Sequence, residues 1–144
     1  MSLTGSYDDD NIFAKILRGD LPCVKVFEDE VALAFMDIFP QARGHVLVVP
    51  KQSKARNLLD FPPEKLGPYM QRVQRLAGAM AKALSADGLT IMQFNGAAGG
   101  QTVFHLHFHI IPRVEGARMA GHGEAKKAEM DELQALAAEI AAAL

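Results

Sequence analysis

One stretch, His105-Leu106-His107-Phe108-His109-Ile110-Ile111, constrains this chain more than any other. Strict alternation of imidazole and apolar side chain has the two-residue period of a β-strand, whose successive side chains point to opposite faces. His105, His107 and His109 should therefore share one face, and Leu106, Phe108 and Ile110 the other. The apolar face asks only for a core to cover it. The other face aligns three of the five histidines in the chain, and solvation supplies no reason for that.

The strand sits in an α+β pattern. Asn11 suits the N-cap of a short helix over Ile12 to Arg18, closed by Gly19. Val24 to Glu28 and Val31 to Ile38 form two strands with so short a link that they must pair as an antiparallel hairpin. A third strand follows Gly44, from His45 to Val49, and Ser53 is placed to cap a short helical turn through Leu58. Leu66, Met70, Val73, Leu76, Met80 and Leu84 recur at three- and four-residue spacing within Glu64 to Ala86, which predicts a long amphipathic helix behind Pro62-Pro63. Leu89 to Asn95 and Val103 to Pro112 are the fourth and fifth strands. Ala125 to Leu144 is an Ala-rich helical tail with Met130, Leu133, Leu136, Ala137 and Ile140 on one face. The expected fold is α+β: a five-stranded, mostly antiparallel sheet with a short N-terminal helix, one long central helix and a C-terminal helical tail.

Composition bounds the function. The 144 residues suit one domain, and 49% are hydrophobic, enough for a core. Net charge is -2 and no Lys/Arg stripe appears, so long nucleic acid is not expected as a partner. The single cysteine, Cys23, excludes a disulfide framework and any multi-thiolate site; it should be a small packed residue. No apolar run approaches the roughly 20 residues that a membrane helix needs, and Met1 to Asp10 has no signal-peptide pattern, so a cytoplasmic location is expected. Residues 1–10 are set aside as a disordered or added start, with Met1-Ser2-Leu3 an expression remnant and Asp8-Asp9-Asp10 a solvated acidic tip. His122, in Gly121-His122-Gly123, is assigned no role.

Two chemistries suit a row of imidazoles. His-x-His on a strand can chelate zinc or iron, with His45 as a further ligand. Alternatively, a neutral imidazole attacks phosphorus through one nitrogen while the other keeps its proton on a fixed acceptor. A neighbouring imidazolium then holds phosphate oxygens or protonates the leaving group. The loop just before the strand, Gly96 to Gln101, favours phosphate: backbone N–H groups of Gly99, Gly100 and Gln101 can approach an anion closely, and Thr102 adds a hydroxyl.

With these residues in view, the chain resembles the histidine-triad (HIT) family, whose motif is His-x-His-x-His followed by apolar residues. The resemblance runs from about Ile12 to Arg113. It takes in Phe27-Glu28-Asp29-Glu30, Ala34 to Ile38, Pro40-Gln41-Ala42, His45 to Lys51 and Asn95 to Val103. It implies a HIT domain over residues 11–115, extended by a C-terminal helical segment over 116–144, and a homodimer with one site per subunit. It also implies His107 as nucleophile, His109 on the phosphate and leaving group, and His105 and His45 ordering the cluster. Asn95, Gly100, Gln101 and Thr102 would lie on the phosphate side and Asp37 on the ribose hydroxyls. Phe13, Ile16, Leu21, Phe35 and Ile38 would surround a base, although pattern alone would place these five in an ordinary core.

The resemblance implies no cofactor. Some bacterial relatives bind a structural zinc through a Cys-x-x-Cys pair and a later His; Asn11, Ala14 and Ser53 stand there in this chain, so no metal is expected. The run after the triad, Ile110-Ile111-Pro112-Arg113, departs from the Gly-Gly-Arg of Hint proteins, while the tail from Glu124 resembles bacterial Hit-like proteins. The expected reaction is hydrolysis or transfer at the α-phosphate of a purine nucleoside 5′-phosphate derivative, a phosphoramidate by preference, through a nucleotidyl-histidine. Dinucleoside polyphosphate hydrolysis of the Fhit kind and a non-catalytic nucleotide-binding adaptor are the alternatives.

Overall fold

The computed structural model describes residues 3–121 and 123–144, so Met1, Ser2 and His122 lie outside the described residues. The elements are α1 (Ile12–Leu17), β1 (Lys25–Glu28), β2 (Ala32–Met36), β3 (Val46–Pro50), α2 (Leu66–Ala83), β4 (Gly88–Met92), β5 (Phe108–Arg113) and α3 (Met130–Ala142). The sheet order is β1-β2-β3-β5-β4 and every pairing is antiparallel. This is the expected α+β fold.

Alternation along the central strands divides the interior in two. Ala32, Ala34, Met36, Val46, Val48 and Ile110 point to the face that α2 and α3 cover, joining Tyr69, Val73, Leu76, Met80, Leu133 and Ile140 in the larger core. Leu33, Phe35, Leu47 and Val49 point the other way, where Phe13 of α1 packs on them. The register then sets Phe35 opposite Leu47 and Leu47 opposite His109, in one row across the second face. That row becomes a wall of the site.

The local signals held where a backbone group needed a partner. The Asn11 side chain accepts the Ala14 N–H at the start of α1, and Gly19 sits at φ +83 just beyond its end. Several details differ from the sequence reading, among them the end of β4 at Met92 rather than Asn95. Ser53 does not cap a helix: its Oγ accepts only the Ala55 N–H, and the short 3-10 turn Leu58–Asp60 is capped reciprocally by Asn57 and Asp60. The buried stripe of α2 runs through Tyr69, which donates its O–H to the Val48 carbonyl at 2.7 Å, while Met70 faces outward. On α3 the buried face is Leu133, Leu136, Ala137 and Ile140, with Met130 exposed in the first turn.

The largest difference is at β5, which begins at Phe108 rather than Val103. His109 is a strand residue; His105 and His107 belong to the bent approach to it. Nor is the start of the chain separate from the fold. The Leu3 carbonyl accepts from Asn57 Nδ2 at 2.8 Å, and the Ser6 carbonyl from the buried Arg56 guanidinium at 3.0 Å.

Candidate active site

His45, at the entrance to β3, is reached through a turn in which its N–H donates to the Ala42 carbonyl and its carbonyl accepts the Asp37 N–H. Gly44 makes the turn at φ +88, with Leu84 and Pro112 occupying the space that a Cβ would need. Pairing of β3 with β5 then brings the His45 ring onto that of His109, centroids 5.1 Å apart, and His107 stands 5.0 Å beyond His109. All four imidazoles are almost entirely buried.

Three backbone groups of fixed polarity assign the tautomers. The Gln41 N–H can only donate, so His45 Nδ1, 3.0 Å away, accepts, and a neutral His45 carries its proton on Nε2. That proton is donated to His109 Nδ1 at 2.9 Å, which leaves the proton of a neutral His109 on its own Nε2. The His105 carbonyl can only accept, so His107 donates Nδ1–H to it at 2.7 Å and keeps the in-plane lone pair on Nε2. The Pro50 carbonyl likewise takes Nε2–H from His105 at 3.2 Å, and Tyr7 donates its O–H to His105 Nδ1 at 2.6 Å. Burial pushes the His105 pKa down to about 4, the Pro50 carbonyl opposing it and the positive form of His107 adding to it.

Two of the histidines, His107 and His109, line a cavity of about 600 Å³. Thr102 and Asp37 line it as well, and so do Phe13, Ile16, Leu21, Phe35 and Ile38. Every residue assigned to the apolar pocket is therefore brought to one cavity. Phe13 and Phe35 are at once core and wall, in edge-to-face contact at 5.4 Å, and Phe13 also meets the His107 ring edge-on at 4.9 Å. Asp37 uses Oδ1 to accept the Phe39 N–H at 2.8 Å, while Oδ2 lies 3.6 Å from His45 Nε2.

Asn95, Gly100 and Gln101 are not brought there. The loop bonds to itself: Gly99 N–H donates to Gly96, Gly100 N–H to Ala97 and Gln101 N–H to Gly96, so the three N–H groups expected to cradle phosphate close a 3-10 turn instead. The Gln101 amide is a buried staple, accepting the Gly96 N–H and donating to the Arg56 and Val103 carbonyls. Asn95 Oδ1 accepts the Leu58 N–H and its Nδ2 bonds Gln93. Of the phosphate-side set only Thr102 reaches the cavity.

Sequence reasoning missed Gln41, whose backbone orients His45, and Tyr7, which lies 98 residues from its partner. Cys23 packs against the second core, as its residue type suggested, and also lines the cavity. A strap after β5 borders the mouth, with Gly123 and Ala125 lining it; Ala120 N–H donates to the Gln41 carbonyl at 2.7 Å and Ala128 N–H to that of Ile38 at 2.9 Å. Neither tie leaves a local pattern, because backbone donors are the same for every residue but proline.

Asp37, His45 and His109 offer ligand atoms within 4.8 Å of one another, enough to raise the metal reading. His45 Nε2 and His109 Nδ1 are only 2.9 Å apart. Two imidazole nitrogens on one tetrahedral zinc, each at about 2.0–2.1 Å, stand roughly 3.3 Å apart. The pair is spaced for a shared proton.

A family model described as the HIT domain matches residues 18–116. An uncharacterised HIT-like protein of Methanocaldococcus jannaschii is 42% identical over 85% of this chain and 94% of its own. A protein of Saccharomyces cerevisiae named adenosine 5′-monophosphoramidase is 37% identical over all of this chain and 89% of its own length. Among solved structures, a Bartonella henselae Hit-like protein described as involved in cell-cycle regulation superposes with a TM-score of 0.91 at 51% identity, covering 97% of this chain and all of that one.

Proposed function

This chain belongs to the HIT-domain family, and from that premise we propose that it is a nucleotide hydrolase that attacks the α-phosphate of a purine nucleoside 5′-phosphoramidate with His107. The observation that carries the reading is the bond from His107 Nδ1–H to its acceptor, the His105 carbonyl, at 2.7 Å. A buried carbonyl holding that proton fixes the ring and leaves the lone pair on Nε2, which a nucleophilic imidazole needs. The resemblance to a monophosphoramidase-named relative supports the substrate class.

In this reading the base lies among Phe13, Ile16, Leu21, Phe35 and Ile38, and Asp37 accepts from the ribose hydroxyls. His107 Nε2 forms a bond to phosphorus as the P–N bond to the leaving group breaks. His109 Nε2–H, oriented by the proton that His45 donates to Nδ1, donates a hydrogen bond to a phosphate oxygen, and the amine departs with a proton taken up from solvent. Thr102 is the hydroxyl donor to the phosphate oxygens. Water then attacks the nucleotidyl-imidazole and releases its proton to solvent as the N–P bond breaks, which restores neutral His107 and frees the nucleoside monophosphate. Asn95, Gly100 and Gln101 act on phosphate indirectly, by holding the loop that presents Thr102. We place no resident metal or cofactor in this scheme, and among the described residues no helix is long and apolar enough to cross a membrane.

A homodimer belongs to the same reading. Sedimentation equilibrium should give twice the 15.6 kDa chain mass, and a monomer at micromolar concentration would refute it. The deciding assay is turnover of an adenosine phosphoramidate beside diadenosine polyphosphates in metal-free buffer. Release of AMP chiefly from the phosphoramidate supports the reading. Preference for the dinucleotides replaces it with polyphosphate hydrolysis, and silence on both leaves a nucleotide-binding protein.

A further inference from the structure

Tyr7 has no place in the scheme above, yet its hydroxyl makes a 2.6 Å hydrogen bond to His105 Nδ1. Its ring stands edge-on to His105 at 5.7 Å. The segment that delivers it is anchored on both sides. Asn57 and Arg56 hold the Leu3 and Ser6 carbonyls, Lys54 pairs with Asp9 at 2.9 Å, and the Asp8 carbonyl accepts from Asn11 at the head of α1. A segment bonded at so many points presents its one aromatic hydroxyl at a set position.

We infer that Tyr7 is a positioning residue of this site, its hydroxyl fixing His105 in the neutral tautomer whose carbonyl orients His107. The chain of donors runs one way. Tyr7 O–H meets Nδ1 of His105, Nε2–H of His105 meets the Pro50 carbonyl, and the His105 carbonyl takes Nδ1–H of His107. With both ring nitrogens engaged, His105 can neither turn its ring nor take a proton without breaking a buried bond, and these two anchors tie down the residue whose carbonyl holds the nucleophile. Neutrality matters as well, because a positive charge on His105 beside His107 would oppose the cation that forms there on attack. The low His105 pKa agrees with this arrangement. His107 is the titratable neighbour on its own segment, while Asn11 through a hydrogen bond and Asp9, Lys54 and Arg18 through their charges act on Tyr7.

The catalytic part of this inference rests on the phosphoryl-transfer reading, but its structural part can be measured alone. Nitrogen-detected histidine spectra of the full chain should show His105 as the Nε2–H tautomer, with Nδ1 shifted by an accepted hydrogen bond. Tyr7→Phe keeps the ring and removes only the hydroxyl; Tyr7→Ala removes both. Both variants should return the His105 Nδ1 resonance toward its unbonded position, raise the His105 titration midpoint, and lower kcat about tenfold with KM little changed. Should Tyr7→Phe match wild type in the His105 spectrum while Tyr7→Ala does not, the ring alone matters and the inference fails. It fails too if the resonance moves but kcat in an active protein does not. If wild type turns over none of the nucleotides tried, the reaction assignment is lost, and the spectra still decide whether Tyr7 holds His105.

Discussion

His107 and His109 are both buried imidazoles two residues apart, and their neighbours give them different tautomers. His107→Ala should lower turnover of a phosphoramidate by at least about a thousandfold, the scale expected when a nucleophile is removed, while AMP binding, read by calorimetry, persists. Retained turnover would remove the nucleophile assignment. Asp37→Ala should act on the other half of the ligand, weakening AMP binding about ten- to a hundredfold through the lost charged acceptor, and affect deoxyribose analogues less. Equal losses on ribose and deoxyribose would remove Asp37 from the sugar. The triad was legible because three same-face histidines have no structural excuse. The pocket residues were not legible from pattern, since Phe13 and Phe35 are core and wall together. Gln101 misled because a residue next to glycines suggests a cradle, and only the fold shows its amide spent on Arg56 and Val103.

Elements carry these side chains, and their boundaries explain where sequence reasoning stopped short. Alternation across 105–111 promised a strand throughout, but β3 pairs with β5 only from Phe108 onward. Upstream of that point the backbone spends its groups differently, Leu106 N–H donating to Ala55 and the His105 carbonyl accepting from the His107 ring. Alternation reports which side chains share a face and says nothing about where the ladder ends. The Met70 to Tyr69 shift on α2 has a similar origin: either residue fits an apolar spacing, and the Val48 carbonyl chooses the one with a hydroxyl. Gly44 is the element-scale test. A Cβ there would meet Leu84 Cδ1 at 2.5 Å and Pro112 Cγ at 3.1 Å, at φ +88. Gly44→Ala should cost about 2 kcal/mol, from a left-handed backbone and a crowded ring that cannot yield. Urea melts would measure it, and a loss below about 0.5 kcal/mol would show that the turn before His45 is not constrained as described.

At the scale of the whole molecule, burying the His105 imidazole makes stability depend on pH in a window that carboxylates do not share. His105 titrates at about 4 in the folded protein against an ordinary 6.5. Near neutrality the ring is neutral in both states and adds no slope. As pH falls through 6.5 the unfolded chain binds the proton first, so stability drops, and the drop ends near pH 4 where the folded protein binds it too. Neutral burial of His105 thus becomes a liability on the acid side, worth about 3 kcal/mol at most across that interval. Glu28 and Asp29 have pKa values lowered, the first by bonds from Lys51 and Lys25, the second by backbone N–H groups and Arg72 against an opposing burial effect. Their contribution is present above the ordinary carboxylate range and lost only below it, so pH 5 to 6.5 separates His105 from these two carboxylates. His105→Gln replaces a titrating ring with a group of similar polarity that cannot charge. Between pH 6.5 and 5 wild type should lose more stability in urea melts than this variant does, the difference being the share of His105. Parallel losses in the two proteins would mean that His105 takes up its proton as readily folded as unfolded, and the bonds from Tyr7 and to Pro50 would then no longer account for a neutral ring at the centre of the site.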